Sequence, residues 1–284
     1  MTSEKLRAAT CQFPVSAGVR ANARYVRRQL RAAAARGADI VHFSEAALSG
    51  YGGSDVPSFD DFDWDLLRQE TAGIMELARE LGVWVILGSA HFLSRRQKPT
   101  NCLYLTDDKG AIADRYDKEM CTGGDLKVYT PGDHPVIFTL KGVTCGLLIC
   151  YDSCYPEMYN RYRHAGVQVV FHSYYNAGFG GPNILDEFIP AQAQARAADN
   201  VMWVLANNSC RRHSCWPTMI VRPDGSVAQR LKRHVPSILY HDFPDPKLKG
   251  WLHNRKMMVL PPDEVYHNGR PSSHRRALDR LSPP

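Results

Sequence analysis

The 284-residue sequence predicts an α/β protein with mixed β-sheets and helices on the outside, and three observations lead there. Helix-like stretches alternate with short strand-like runs along most of the chain. Two hairpins, around Asp108-Lys109-Gly110 and Asp224-Gly225, interrupt that alternation, so the sheets are not purely parallel. With 44% hydrophobic and 23% charged residues, the composition suits an ordinary globular chain long enough to bury one large core.

The elements follow in order. KLRAATCQF, residues 5 to 13, reads as an opening strand, and the proline-free, Ala/Arg/Leu-rich stretch from Asn22 to Arg36 reads as a helix stopped by Gly37. IVHFSE, 40 to 45, is a short β-rich run. DLLRQETAGIMELARELG, 65 to 82, repeats Leu66, Leu67, Ile74, Leu77 and Leu81 on one helical face, and VWVILGSAHF is the strand after it. NCLYLTDDKGAIADRYDK, 101 to 118, is the first hairpin. VTCGLLICY is an apolar strand, Pro156 to His164 a short helix opened by proline, VQVVFHSYY a strand, IPAQAQARAADN a helix and VMWVLANNS a strand. PTMIVRPDGSVAQRL forms the last hairpin. After Phe243, prolines, histidines and basic residues replace the apolar pattern. The division is therefore a domain over 1–243 and a C-terminal extension over 244–284 that packs on the body or on a partner subunit.

Bulk properties narrow the function. The formal charge of +6 comes mostly from arginines spread along helices and tail, with no nucleic-acid module around them, so nucleic acid is not an expected partner. MTSEKLRAATCQFPV lacks a basic region followed by an apolar signal core, and no stretch approaches the roughly 18 apolar residues of a membrane span, so a cytoplasmic protein without a membrane partner is expected. Eight cysteines form no CxxC pair, which argues against a structural zinc site, and Cys11, Cys102 and Cys145 sit in apolar contexts that suit buried inert thiols. No metal or cofactor is expected. His42, His172 and His213 have no ligand spacing and read as core or pocket residues, and Cys154 reads as packing at a helix start.

Three strand ends carry reactive groups: Glu45 after IVHFS, Lys118 after the first hairpin, and Cys150 after GLLI. Strand ends are where side chains leave the core and meet ligands. A free thiol has a pKa of about 8.5 and needs a base or a nearby cation to attack at neutral pH. Glu45 would supply the base and Lys118 the charge, with the same ammonium stabilising an oxyanion.

FSEAALSGY (43 to 51), RYDKEM (115 to 120) and GLLICYDSCYPE (146 to 157), in that order, resemble the nitrilase or carbon-nitrogen hydrolase family. ARAADN, WVLANN and the PDGSV hairpin continue the likeness, which runs from about Leu6 to Phe243. The resemblance implies an αββα sandwich of two mixed sheets flanked by helices, packing as a homodimer or higher homo-oligomer. It also implies Glu45 as general base, Lys118 as the catalytic lysine and Cys150 as nucleophile. True nitrilases of the family commonly have tryptophan after the nucleophile. Tyr151-Asp152 stands here, which favours a small amide or an N-carbamoyl/ureido substrate cleaved through a thioester, over nitrile hydrolysis, acyl transfer to an amine or a silent scaffold. Three positions depart from the family pattern. Ser44 replaces a common proline, Asp125 stands nearest to a second glutamate that assists the lysine, and His172-Ser173 replaces Pro-Ser.

Around these motifs, Tyr51, Tyr151, Phe171, Tyr174 and Trp216 are candidate pocket walls, and Asn176, Asn207 and Arg211 candidate contacts for the remote end of a substrate. Glu157 matches the family and also suits the first turn of a helix, where a carboxylate is favoured.

Overall fold

The computed structural model describes residues 5–94, 96–178 and 181–243. The expected 244–284 extension lies outside them.

Two six-stranded sheets stack face to face with helices on the outer sides, the αββα arrangement. In the first sheet, β1 (Leu6–Gln12), β2 (Ile40–Phe43) and β3 (Trp84–His91) run parallel, and β4 (Thr100–Thr106) and β5 (Ile112–Asp117) follow as an antiparallel hairpin. The second sheet repeats the pattern. β7 (Val143–Ile149), β8 (Val169–Tyr174) and β9 (Trp203–Asn208) are parallel, and β10 (Met219–Val221) and β11 (Val227–Arg230) form the hairpin. Each sheet gains one more antiparallel strand beside its first: β6 (Ile137–Leu140) beside β7, and β12 (Ser237–Phe243) beside β1. Neither was legible as a strand. β12 alternates poorly, and β6 is half-exposed at a sheet edge.

The parallel strands are buried on both faces because successive side chains point in opposite directions. Ala8, Ile40, Ile86 and Leu105 face the second sheet and share a core with Cys145, Leu147 and Phe171, whereas Ala9, Val41, Val85 and Leu87 face the helices. Phe171, expected as a pocket wall, therefore belongs to the layer between the sheets. α1 (Val19–Ala34) buries Val19, Ala23, Val26, Leu30 and Ala33 at helical spacing and turns its arginines outward. It begins three residues before the sequence-based start. α2 (Trp64–Leu81) is capped by Asp63, whose carboxylate accepts from the Leu66 N–H at 2.8 Å, and stops at Gly82, where φ is +63°. α4 (Pro156–His164) and α5 (Leu185–Asn200) cover the second sheet, and α3 (Asp125–Val128) is a single turn after β5.

Polar staples join the sheets beneath the strand ends. His42 Nε2 lies 2.8 Å from Ser173 Oγ, and that hydroxyl donates to the Phe43 carbonyl, so the ring nitrogen is the donor to Ser173. Burial holds the His42 pKa down at about 3. Asn207 donates to the carbonyls of Cys11 and His42 and accepts from Thr218. Its amide is thus spent between the sheets and is not a contact for substrate. Among the described residues no helix is long and apolar enough to cross a membrane.

Candidate active site

The carboxyl ends of β2, β5 and β7 converge and bring Glu45, Lys118 and Cys150 together. Glu45 leaves β2 on a sharp turn in which Ala46 takes φ of +54°. The turn lies against Gly88 of β3, where a Cβ would come within 2.0 Å of the Ser44 carbonyl oxygen, so only glycine permits this approach. Lys118 is pinned from both sides, its N–H donating to Asn101 and its carbonyl accepting from Gly132. A Cβ on Gly132 would sit 2.2 Å from the Asp117 carbonyl oxygen.

The ion cluster is fully buried. Lys118 Nζ lies 2.9 Å from Glu45 Oε1 and 2.8 Å from Asp125 Oδ2, and Glu45, Lys118 and Asp125 are at most 1% exposed. Asp125, the first residue of α3, thus supplies a second carboxylate to the ammonium despite its short side chain. Its other oxygen accepts from Tyr51 Oη at 2.5 Å, and the Thr122 N–H donates to Oδ2. Burial would raise the Asp125 pKa, but the Lys118 charge and these donors hold it below the usual carboxylate value. Burial raises Glu45, with Lys118 opposing and Asp125 adding to the rise. Desolvation works against the Lys118 charge, yet the surrounding anions, Glu45 first, keep its pKa well above 10.5. Asn101 Nδ2 donates to Glu45 Oε1 at 2.7 Å, so that oxygen has two donors, whereas Oε2 is buried with no hydrogen-bond partner.

Cys150 is not the last residue of its strand but the first of a short 3-10 helix, Cys150–Cys154, and it holds φ of +42°. A non-glycine residue there stores backbone strain, which must be balanced by neighbours. Two anchors do this. Asp152 accepts from the N–H groups of Ile149 and Met120 and from Tyr116 Oη, tying the turn to β5 and to the segment after Lys118. His172 Nε2 lies 3.2 Å from the Cys150 carbonyl and donates to it, while Tyr159 Oη donates to Nδ1 at 2.6 Å. Burial depresses the His172 pKa well below 6.5, so the ring is neutral. Burial raises Asp152 to about 6 against the pull of its backbone donors. Cys150 is partly exposed as a residue, and desolvation of its thiol, followed by the Glu45 charge, lifts its pKa well above the usual value, with Lys118 opposing.

The remaining candidates divide. Tyr51 lies over the cluster, its ring 5.9 Å from Lys118 Nζ and stacked on Tyr175 at 4.9 Å. Asn176 Nδ2 lies 3.7 Å from Cys150 Sγ, and Trp216 Nε1 donates to Asn176 Oδ1 at 3.0 Å. Tyr174 packs between His172 and Trp216. Arg211 is tied to Asp55 and Tyr175. Tyr151 is half-buried with its ring edge-on to Tyr155, and Glu157 is exposed in the first turn of α4, outside the buried cluster. His213 is an exposed loop residue, not a core or pocket one.

Asn101 and Asp152 were missed. Asn101 offered only a polar residue opening an apolar strand, and Asp152 only an acid two residues beyond the thiol. Among the described residues no group of three or more His, Cys, Asp or Glu is arranged to hold a metal ion.

Comparison with known proteins identifies relatives of this chain. The profile of the carbon-nitrogen hydrolase family matches residues 7–251. The deaminated glutathione amidase of Rattus norvegicus is 28% identical over 232 residues, which cover 66% of this chain and 66% of that protein, just under two thirds of its length. The 2-oxoglutaramate amidase of Bacillus subtilis is 27% identical over 136 residues, 47% of this chain and 51% of that one. Among solved structures, a mutant amidase from Nesterenkonia sp. AN1 with the acetamide moiety of fluoroacetamide added covalently at its active site cysteine superposes with a TM-score of 0.76. It is 20% identical and covers 86% of this chain and 92% of that one.

Proposed function

The chain belongs to the carbon-nitrogen hydrolase family, and from that premise we propose that it hydrolyses a C–N bond of a small amide or N-carbamoyl compound through a thioester on Cys150. One observation carries the reading. A partly exposed cysteine on a strained turn stands beside a buried Glu45–Lys118–Asp125 cluster in which Glu45 Oε2 has no hydrogen-bond partner.

The chemistry follows from the donors and acceptors left free. Because its pKa is raised, the resting thiol is neutral, and attack requires a base. Glu45 Oε2 takes the S–H proton as sulfur bonds to the carbonyl carbon and the carbonyl π electrons move to oxygen. Lys118 has three N–H donors and spends two on carboxylates, so one remains for the oxyanion. Collapse breaks the C–N bond, and Glu45 returns the proton to the departing ammonia or amine. Water then gives a proton to Glu45 and attacks the thioester. The acid leaves, or a carbamate if the substrate is a ureido compound, and the expelled thiolate is reprotonated.

Amide hydrolysis is the activity in the names of the rat, Bacillus and Nesterenkonia proteins, and it supports amides ahead of nitriles. The reading includes a cytoplasmic enzyme, consistent with eight free cysteines, working as a homodimer or higher homo-oligomer. It is tested by ammonia release from aliphatic amides, ω-amido acids, N-carbamoyl amino acids, ureido compounds and nitriles, using the protein and its Cys150→Ala variant. Release lost in the variant supports it and names the substrate class. Release from nitriles alone, or equal release by the variant, overturns it.

A further inference from the structure

We infer that Asn176 is a catalytic residue beyond the Glu-Lys-Cys trio, donating from its carboxamide to the Cys150 sulfur, and that the Trp216 indole holds it in the orientation that makes this donation. The inference rests on the reading of Cys150 as nucleophile.

A carboxamide beside a sulfur can present either end. Its oxygen would repel a thiolate and its NH2 would stabilise one. Trp216 Nε1–H decides between them, because an indole nitrogen donates and cannot accept. Asn176 Oδ1 therefore faces the indole at 3.0 Å, and Nδ2 faces Cys150 Sγ at 3.7 Å. Neither residue has room to turn away. Asn176 is 5% exposed and Trp216 1%, and the Trp216 ring meets Tyr174 edge-on at 4.9 Å. The Asn176 backbone is held as well, its N–H donating to Asn208 Oδ1 and its carbonyl accepting from the Cys215 N–H.

The Tyr175 backbone N–H already bonds the Cys150 sulfur and favours its thiolate, and Asn176 adds a side-chain donor beside it. Two of the three Lys118 protons go to Glu45 and Asp125, and the third is required by the oxyanion. During attack on the substrate, and again when the thioester breaks down and expels thiolate, the sulfur carries charge beside the buried Asp125 carboxylate while Glu45 holds the proton. A neutral donor favours that thiolate without disturbing the charge balance of the cluster.

The test measures iodoacetamide alkylation of Cys150 against pH, without substrate, in the full chain, Asn176→Ala, Trp216→Phe and the double variant. Losing one hydrogen bond to a charged sulfur slows alkylation at neutral pH by roughly tenfold in Asn176→Ala and moves its rise with pH upward by about one unit. Trp216→Phe slows it by a smaller factor, about threefold, because the freed carboxamide samples both orientations. Since Trp216 acts through Asn176, the double variant matches Asn176→Ala alone. Alkylation of Asn176→Ala within twofold of the parent overturns the inference, as does a double variant slowed by the product of the two single effects. Thermal unfolding of each variant accompanies the rates, and if Trp216→Phe does not fold, the Asn176→Ala profile decides by itself. A parent that alkylates at Cys150 yet releases no ammonia from any candidate would sink the hydrolase reading while leaving this inference standing.

Discussion

Glu45, Lys118 and Asp125 hang from the first sheet and its connections, at most 1% exposed and bonded to one another, whereas Cys150 sits on the second sheet, partly exposed and at φ of +42°. The first half holds its charges through mutual ion pairing, and the second holds a strained backbone through Asp152 and His172. A buried ion cluster costs desolvation whatever its use, and a strained turn costs conformational energy. Placing the costs on different sheets leaves the ion cluster buried while Cys150 stays partly exposed. Asp152 links the halves, since it accepts from Tyr116 and Met120 on one side and Ile149 on the other.

The largest way to break this division is Lys118→Met. It leaves two carboxylates buried without their cation, so turnover is lost, and urea unfolding should show a destabilisation of about 3–5 kcal/mol. Glu45→Gln is next. It keeps the volume but removes the base, and turnover should drop by roughly 10²–10⁴-fold. Because burial raises the Glu45 pKa, kcat/KM in the parent climbs as pH rises through that value and the base form appears. That acidic limb should be missing from the pH profile of the Gln variant, and its persistence there would remove Glu45 from the role of base.

The second half is probed by His172→Phe, which frees the Cys150 carbonyl and the Tyr159 hydroxyl. The expected cost is about 1–3 kcal/mol in denaturant unfolding, with a lower kcat. The histidine also sets a pH dependence. Its folded pKa lies well below 6.5, so the unfolded chain takes up a proton that the folded one does not. The parent's stability therefore falls as pH drops below about 6.5, and the Phe variant should show a shallower decline. The smallest effect is that of Asp125→Asn. The folded Asp125 pKa is depressed, so its contribution is present above its usual 3.8 and disappears as pH falls through the folded value. The gap in unfolding free energy between parent and variant should narrow over that acidic window, and a gap constant with pH would contradict the pairing with Lys118.

These halves differed in how much the sequence disclosed. Periodicity and glycine stops placed the parallel strands and α2 to within a residue or two, because burial on both faces leaves a dense apolar signal. The edge strands β6 and β12 pair one neighbour each and carry weaker patterns, so they were invisible. The trio was legible as a candidate site because a carboxylate, an ammonium and a thiol each follow a strand-like run in the sequence. Cys145 and Cys150 share one apolar run, and what separates them is structure: Cys145 is buried in the core, and Cys150 heads a strained 3-10 turn. No local pattern announces a positive φ at a cysteine. Asn207 and Phe171 were misplaced for a related reason, since nothing in the sequence says which end of a strand, or which face, meets the other sheet. His172 reads from the sequence as a core or pocket residue and as a departure from the family pattern, but its hold on the Cys150 carbonyl depends on α4 bringing Tyr159 to its other nitrogen.

The central claim is that Cys150 carries the acyl group during turnover. Rapid acid quenching of the protein with an amide it hydrolyses, followed by mass analysis of the Cys150 peptide, tests this most directly. The account predicts a mass increase equal to the acyl group on Cys150, with a pre-steady-state burst of ammonia if deacylation is the slower step. Turnover with Cys150 unmodified, and undiminished in Cys150→Ala, would contradict it.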